Sequence, residues 1–193
     1  AGVQIFEQSM VVGIEHGATV RLHTANGATV RAKHVALCCN AFIDDRISKH
    51  LRDRIMPVGT YIIATERLGQ ARIESLMHEN VAVTDINFVL DYFRRSSDHR
   101  LLFGGRVSYS GRDARNTASA TRKRMLNVFP SLADAKIEYS WGGYVDITMS
   151  RAPDFGRLAP NVYYLQGFSG HGIALTGIAG QMVAETIAGQ AER

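Results

Sequence analysis

Alternation of apolar and polar residues predicts β-strands in the first part of the chain. Two such runs, residues 18–23 and 28–32, flank Asn26-Gly27, which favours a β-hairpin with a type I′ turn because both central residues need positive φ. Residues 35–39 are wholly apolar, which is typical of a strand covered on both faces. That run ends at Asn40-Ala41, and the carboxyl end of such a strand in an α/β sheet faces a crevice.

The middle of the chain predicts a second, different sheet with flanking helices. A strand is expected at residues 60–65, followed by a weak helix at 71–77. An antiparallel meander is expected next, over residues 81–84, 88–94 and 101–107. Residues 114–128 have helical periodicity, and Pro130 ends that helix.

The last part of the chain predicts a sharp strand-to-helix turn. A short buried strand at residues 161–165 leads into Gln-Gly-Phe-Ser-Gly-His-Gly, residues 166–172, and then into an apolar helix at 173–187. Glycines let a ligand approach the main chain closely, and the positive end of a helix favours negative charge. From these residues alone, a tightly packed helix behind a glycine-rich turn is as good an interpretation as an anion or cofactor site.

Composition adds little to this picture beyond the class of protein. With 193 residues, 46% of them hydrophobic, the chain can bury a core as one domain or two small ones. The formal charge of +4 comes from scattered arginines, so the densest run, residues 122–124, indicates a solvated helix face and not a nucleic-acid site. No stretch has the apolar length needed to cross a membrane.

The cysteines and histidines predict neither a disulfide nor a metal site. Cys38 and Cys39 are adjacent, and neighbours in a strand point to opposite faces, so we expect two buried free thiols in a reducing, cytoplasmic compartment. The seven histidines lack the close pairing of metal ligands. Neither Gly-x-Gly-x-x-Gly nor a P-loop occurs in the sequence.

A series of motifs carries a family resemblance. They are, in order, Asn-Ala at residue 40, Pro-Val-Gly-Thr-Tyr at 57, Leu-Asp-Tyr-Phe-Arg at 90, Trp-Gly-Gly at 141 and Gly-Phe-Ser-Gly-His-Gly at 167. Together they resemble the C-terminal half of the FAD-dependent oxidoreductases of the D-amino acid oxidase family. The resemblance extends over nearly the whole chain, and it is closest to members that act on γ-glutamylputrescine.

The resemblance implies a fold of mixed α+β and α/β class. The family's flavin domain is built from discontinuous segments, which would be residues 1–41 and 152–193 here. Residues 42–151 would form the substrate domain, a mostly antiparallel sheet with flanking helices. The resemblance also implies an N-terminal half, absent from this sequence, that carries the glycine fingerprint, so we expect the chain to be a portion of a larger enzyme.

The resemblance further implies two groups of FAD-binding residues. Val11 matches the position whose main chain approaches the adenine, and Cys39, Asn40 and Ala41 follow the strand beside the cofactor. The glycine turn matches the segment facing the pyrimidine edge of the flavin, which comprises Gly167, Phe168, Ser169, Gly170, His171, Gly172 and Ile173. Amide donors and a helix N-terminus there would stabilise the negative charge that flavin reduction creates.

One departure from the family pattern bears on the substrate. Members that act on free amino acids have an arginine shortly after the Trp-x-Gly turn to bind the carboxylate, whereas Val145 stands there. An amine at the end of a longer molecule is therefore expected, and it would lose hydride to the flavin to give an imine. Tyr61, Tyr92 and Tyr144 are candidate walls of the substrate pocket, although an ordinary half-buried tyrosine is the better explanation for each.

Other functions stay open at this point. The lack of a dinucleotide fingerprint favours a catalytically silent binding or regulatory module that keeps the substrate-domain fold. A basic ligand-binding domain without flavin, or an oxidase of a small amino acid, is also consistent with the sequence. No catalytic residue is assigned, and His171 is expected to position other groups.

Overall fold

The computed structural model describes residues 2–87, 89–109 and 116–189, with Arg106 described by its main chain alone. These residues form two compact units: unit 1 comprises Ala1–Pro57 and Val145–Arg193, and unit 2 comprises Val58–Tyr144. The sequence places the divisions after residues 41 and 151, whereas the compact units divide after 57 and 144. The assignment of either unit to flavin or substrate stays a prediction.

Unit 1 contains two small sheets and two helices. Its elements are β1 Val11–Glu15, β2 Val20–Thr24, β3 Thr29–Ala32, β4 Val35–Leu37, α1 Asp45–Arg52, β10 Asp154–Ala159, β11 Val162–Gln166 and α4 Gly172–Ile187. β1, β2 and β3 form an antiparallel sheet. In the other sheet, β11 pairs antiparallel with β10 and parallel with β4. The core between these elements is formed by Val20, Val35, Leu37, Ile43, Leu51, Val162 and Tyr164.

Unit 2 is built on a five-stranded sheet. Its elements are β5 Ile55–Thr65, α2 Gln70–Leu76, β6 Val83–Thr84, β7 Tyr92–Arg95, β8 Leu101–Ser108, α3 Thr117–Val128 and β9 Ile137–Thr148, with strand order β6-β7-β8-β5-β9. One side of the sheet forms a core with α2 and α3. There, Phe93 stacks on Phe103 at 5.7 Å and meets Phe129 edge-on at 5.0 Å.

The mixed α/β and α+β class is confirmed, and most of the predicted elements occur in the structure. The meander and both helices of unit 2 are present, although Phe88 and residues 114 and 115 of the predicted elements lie outside the described residues. β9 continues through Trp-Gly-Gly without a break and ends at Thr148. β10 begins at Asp154, so the connection between β9 and β10 comprises residues 149–153.

The predicted hairpin exists, but the prediction of a type I′ turn is wrong. The amide of Gly27 donates to the carbonyl of Thr24 at 3.0 Å, and the amide of Thr24 donates to Ala28 at 3.0 Å. Gly27 has positive φ (84°), whereas Asn26 does not. The loop thus has three residues, with glycine in the left-handed position. The side-chain oxygen of Asn26 accepts hydrogen bonds from Thr24 and Ala28, which explains why asparagine closes this loop.

The expectation of two buried cysteines is also corrected. β4 ends at Leu37, so Cys38 and Cys39 lie beyond the strand. Both thiols are free, Cys38 is exposed and Cys39 is half-buried against the core of unit 1. Burial nevertheless raises the pKa of both thiols. The compartment inferred from them stays a prediction.

Two kinds of feature do not occur among the described residues. None of their helices combines the length and the apolar character needed to span a membrane. Nor do three metal-binding side chains cluster anywhere among them.

Candidate functional site

A cavity of about 590 Å³ lies in unit 1 at the carboxyl ends of β4 and β11. These strands are parallel, and the crevice outside the carboxyl ends of parallel strands is where α/β sheets usually bind ligands. The cavity is lined by residues of β4 and its continuation, the end of β9, β11, the glycine turn and α4. They are Ala36, Cys38, Asn40, Val145, Asp146, Leu165, Phe168, Gly170, Gly172, Ile173, Thr176, Gly180 and Val183.

The turn between β11 and α4 has an unusual backbone. Gly167, Ser169 and Gly170 all have positive φ, of 71°, 52° and 91°. Glycine adopts this conformation without a steric penalty, whereas Ser169 does not. Ser169 is buried, its amide donates to the carbonyl of Asp146 at 3.0 Å, and its hydroxyl donates to the carbonyl of Gly167 at 3.1 Å. These bonds offset the backbone strain at Ser169.

The two glycines of this turn are needed for different reasons. A Cβ atom at Gly167 would lie 2.3 Å from Cγ2 of Thr148, so any side chain there would clash inside the protein. A Cβ atom at Gly170 would have no atom within 4 Å, because Gly170 borders the cavity. Gly167 is thus required by packing, and Gly170 leaves the main chain open to the cavity.

Asp146 lines the cavity and has no signature in the local sequence. It lies in β9, it is buried, and its carboxylate accepts a hydrogen bond from the amide of Gly167. The two residues are 21 positions apart, so no local pattern connects them. The cavity therefore has a buried acidic residue that supports its glycine turn.

α4 presents an apolar surface that the described residues leave mostly uncovered. Ala179 is its one buried residue, whereas Ile173 is fully exposed and Ile178 is 62% exposed. A Cβ atom at Gly177 or Gly180 would have no atom within 4 Å. Open space therefore lies over this part of α4.

The predicted cofactor residues fall into two groups. Those that line the cavity are Asn40, Phe168, Gly170, Gly172 and Ile173. The others lie elsewhere in unit 1: Val11 begins β1, Cys39 and Ala41 belong to the turn after β4, Gly167 and Ser169 are buried, and His171 is exposed at the start of α4. Cys38, and not Cys39, borders the cavity. Contact of any of these residues with FAD stays a prediction.

A polar cluster fixes β11, which forms one wall of the cavity. Arg54 pairs with Asp154 at 3.0 Å, and the side chain of Gln166 donates to Asp154 and to the carbonyl of Leu51, both at 3.0 Å. The hydroxyl of Tyr164 lies 3.3 Å from Asp154. Burial, together with the negative charge of Asp154, raises the pKa of Tyr164. The cluster joins β10, β11 and the end of α1.

The three tyrosines predicted to contact substrate belong to unit 2. Tyr61 is buried against Gly142, where a Cβ atom would lie 2.8 Å from the tyrosine ring. Tyr92 covers Gly104, where a Cβ atom would lie 2.0 Å from the ring, and burial raises the pKa of Tyr92. Tyr144 is half-buried in β9. Packing accounts for Tyr61 and Tyr92, and a substrate role for all three stays a prediction.

Comparison with known proteins identifies the family. The family model described as FAD dependent oxidoreductase matches residues 1–186. The chain is 43% identical over 192 residues to the γ-glutamylputrescine oxidoreductase of Escherichia coli, and 45% identical over 196 residues to the probable oxidoreductase OrdL of Haemophilus influenzae. All of this chain is covered in both comparisons, against 45% and 44% of those proteins, so it spans about half the length of these curated relatives.

Solved structures share the fold. Glycine oxidase from Bacillus cereus has a TM-score of 0.78 at 20% identity, and L-proline dehydrogenase from P. horikoshii has 0.77 at 21%. The matches cover 98% and 96% of this chain and 51% of each of those chains. The chain therefore belongs to the family of FAD-dependent oxidoreductases.

Proposed function

We propose that this chain is the C-terminal portion of a flavin-dependent oxidoreductase that oxidises a primary or secondary amine of the γ-glutamylputrescine type. The observation that carries the proposal is the cavity at the ends of β4 and β11, bordered by the glycine turn and the start of α4. Family membership supports the flavin. The name of the E. coli relative supports the amine.

The residues of the cavity fit the ring system of a flavin better than its diphosphate. The lining is mostly apolar or small, and none of the described lining residues is Lys or Arg. Gly170 and Gly172 leave the main chain accessible to a flat ligand. We infer that the diphosphate is held by a further portion of the enzyme that carries the glycine fingerprint, as the greater length of the relatives suggests.

The flavin, when bound, would accept the hydride that amine oxidation releases. The residues of this chain would orient the flavin and stabilise negative charge on it. The N-terminus of α4 and the amides of the glycine turn favour negative charge beside them. Val145, in the cavity wall, offers no guanidinium to a substrate carboxylate, which favours an amine without an adjacent carboxylate.

We also propose roles for the two units and for the uncovered helix. Unit 1 would belong to the flavin-binding domain and unit 2 to the substrate domain, with Tyr61, Tyr92 and Tyr144 as substrate-contacting residues. The remaining portion of a family-length enzyme would cover the apolar surface of α4. A helix this apolar on its outer surface is normally buried.

The direct test uses the complete enzyme. We expect the purified protein to show a flavin absorption spectrum that γ-glutamylputrescine bleaches without oxygen. Glycine and small D-amino acids should bleach it much more slowly. A protein without flavin would contradict the cofactor assignment, and faster reduction by glycine would contradict the substrate class.

Cys38 offers a test of the cavity that does not depend on activity. Its thiol is exposed and borders the cavity. In the complete apoprotein, FAD should slow alkylation of Cys38 by a maleimide, measured by mass spectrometry of the labelled peptide. In a Cys39→Ser variant, alkylation of this peptide reports on Cys38 alone. A Cys38→Ser variant gives the background level of labelling. Equal rates with and without FAD would show that the flavin binds elsewhere.

A further inference from the structure

Asp146 makes two hydrogen bonds to the same turn from opposite parts of the residue. Its carboxylate accepts from the amide of Gly167, and its main-chain carbonyl accepts from the amide of Ser169 at 3.0 Å. The amide of Thr148, two residues further along β9, donates to the hydroxyl of Ser169 at 3.4 Å. The end of β9 therefore holds the turn at several points, and Asp146 supplies the bond at its first glycine.

The carboxylate of Asp146 is in a costly environment. The residue is 4% exposed, and its carboxylate accepts a hydrogen bond from the amide of Gly167. A buried carboxylate is unfavourable unless it is paired or hydrogen-bonded. A hydrogen bond from an amide to a carboxylate is stronger than one between neutral groups. The bond to Gly167 is thus a strong restraint on the turn.

The turn needs such a restraint because its backbone is strained. Positive φ at the non-glycine residue Ser169 persists only where the surroundings impose it. Gly170, directly after it, has positive φ and borders the cavity, and α4 begins two residues later. A shift at Gly167 would therefore be passed to the amides that border the cavity.

We propose that Asp146 is a positioning residue, which through its hydrogen bond to Gly167 fixes the main chain of Gly170 and Gly172 at the cavity. The consequence for flavin rests on the proposed function of the cavity. The effect on the turn does not. Asp146 acts through the turn, so its charge is not required to touch substrate or flavin.

The first experiment measures amide hydrogen exchange in the complete protein. Asp146→Ala removes the acceptor, and we expect the amide of Gly167 to exchange about tenfold faster. Asp146→Asn keeps a carbonyl oxygen that can accept the bond, and it should stay within about threefold of the unmodified protein. Unchanged exchange in Asp146→Ala would overturn the proposal, as would an Asn variant that exchanges as fast as the Ala variant.

The second experiment measures flavin affinity and the midpoint potential of the bound flavin. Asp146→Asn also lacks the charge but keeps the acceptor; relative to it, we expect Asp146→Ala to show a dissociation constant about tenfold higher and a more negative potential, because displaced amides stabilise reduced flavin less well. Asp98→Ala is the control: Asp98 pairs with Arg100 at 2.8 Å in unit 2, and it does not line the cavity. It should lower the unfolding temperature and leave the potential unchanged.

The two experiments separate the two proposals. If the unmodified complete protein binds no flavin, the proposed function fails, and hydrogen exchange alone decides the role of Asp146. If flavin binds and Asp146→Ala changes exchange but neither affinity nor potential, the positioning of cavity amides is wrong. A potential that shifts equally in Asp98→Ala would mean that the shift follows from general destabilisation, and it would overturn the proposal.

Discussion

Gly27 and Gly170 have nearly the same backbone conformation in very different places. Their φ values are 84° and 91°, and a Cβ atom at either would have no atom within 4 Å. Gly27 closes the loop between β2 and β3, whereas Gly170 borders the cavity. Substitution of both glycines therefore separates the energetic cost of a side chain at positive φ from the effect of a side chain that enters the cavity.

Alanine at either position should cost about 1–2 kcal/mol of unfolding free energy, because a Cβ atom disfavours the left-handed region. We expect Gly170→Ala alone to weaken flavin binding in the complete protein, since its methyl group would project into the cavity. Chemical denaturation gives the stability of each variant, and flavin titration gives the affinity. Equal flavin affinity in the two variants would contradict the placement of the flavin beside Gly170.

At this scale the sequence predicts residues whose role has a local signature. The glycine turn is one such case, because its glycines precede an apolar helix. Asp146 is not, since its partner is 21 residues away. Asn161 also has no local signature. Its side chain donates to the carbonyls of Gly17 and Lys33, at 3.0 and 2.9 Å, and so joins two hairpin regions to the start of β11. Such long-range polar contacts leave no pattern in the sequence.

At the scale of elements, β7 and β8 are joined by an aromatic ring lying over a glycine. Tyr92 pairs with Gly104 across the two strands, and a Cβ atom at Gly104 would lie 2.0 Å from the ring. Gly104→Ala should destabilise the protein by about 1–3 kcal/mol, through overpacking. The cost should be smaller in a Tyr92→Ala background, because the ring is gone.

Equilibrium denaturation of the two single variants and the double variant measures this coupling. Gly143→Ala is the control, since a Cβ atom there meets nothing within 4 Å and Gly143 also lies in a strand. Additive effects of the Gly104 and Tyr92 substitutions would contradict the packing role.

Tyr92→Phe keeps the ring, so a change in KM of the complete enzyme without a loss of stability would support substrate contact.

A charged cluster ties β5 and β9 to the segment just before β8, and it should make unit 2 sensitive to acid. Arg100 is buried, pairs with Asp98 at 2.8 Å and with Glu138 at 2.5 Å, and donates to the carbonyl of Thr65 at 2.8 Å. Hydrogen bonds from Ser96 and then Arg100 lower the pKa of Asp98, and Arg100 lowers the pKa of Glu138.

Because both carboxyl groups have lower pKa values in the folded state, their contribution to stability is complete above the unfolded values, which are about 4. It is lost as the pH falls below that range. We expect the unfolding temperature to fall on acidification, and to fall less in Glu138→Gln. Glu74→Gln is the control, since Glu74 lies 3.7 Å from Arg95, outside the cluster. Identical pH profiles for all three proteins would contradict this account.

The sequence predicts elements better than their ends. The strands, the helices and the hairpin follow from periodicity and turn residues. The hairpin loop differs because the side chain of Asn26 closes it, and β9 continues because its paired main chain tolerates Gly142 beneath the ring of Tyr61. Both features depend on contacts made after the strands have paired, which the hydrophobic pattern does not contain.

For the whole molecule, the order of motifs predicts the fold class and the family, since that order depends on topology. The order of motifs does not predict where the chain divides into compact units. The predicted divisions rest on the family's domain pattern, whereas the observed units reflect packing: α1 and the end of β9 join the unit that contains β11.

The uncovered surface of α4 gives the last prediction. Ile178 is 62% exposed, and Val30, in β3 of the same unit, is 49% exposed. If a further portion of the enzyme covers α4, Ile178→Lys should destabilise the complete protein by several kcal/mol, because it would bury a charge. Val30→Lys should change its stability by less than about 0.5 kcal/mol, as surface substitutions usually do.

The same substitutions in this chain produced alone should behave differently. There Ile178 faces solvent, so Ile178→Lys should leave stability nearly unchanged and reduce self-association, measured by sedimentation, because an exposed apolar patch promotes association. A substitution that destabilises the complete enzyme but leaves the stability of the chain alone unchanged would support a covered α4. If Ile178→Lys were neutral in the complete enzyme, α4 would face solvent there too, and its apolar surface would need another partner.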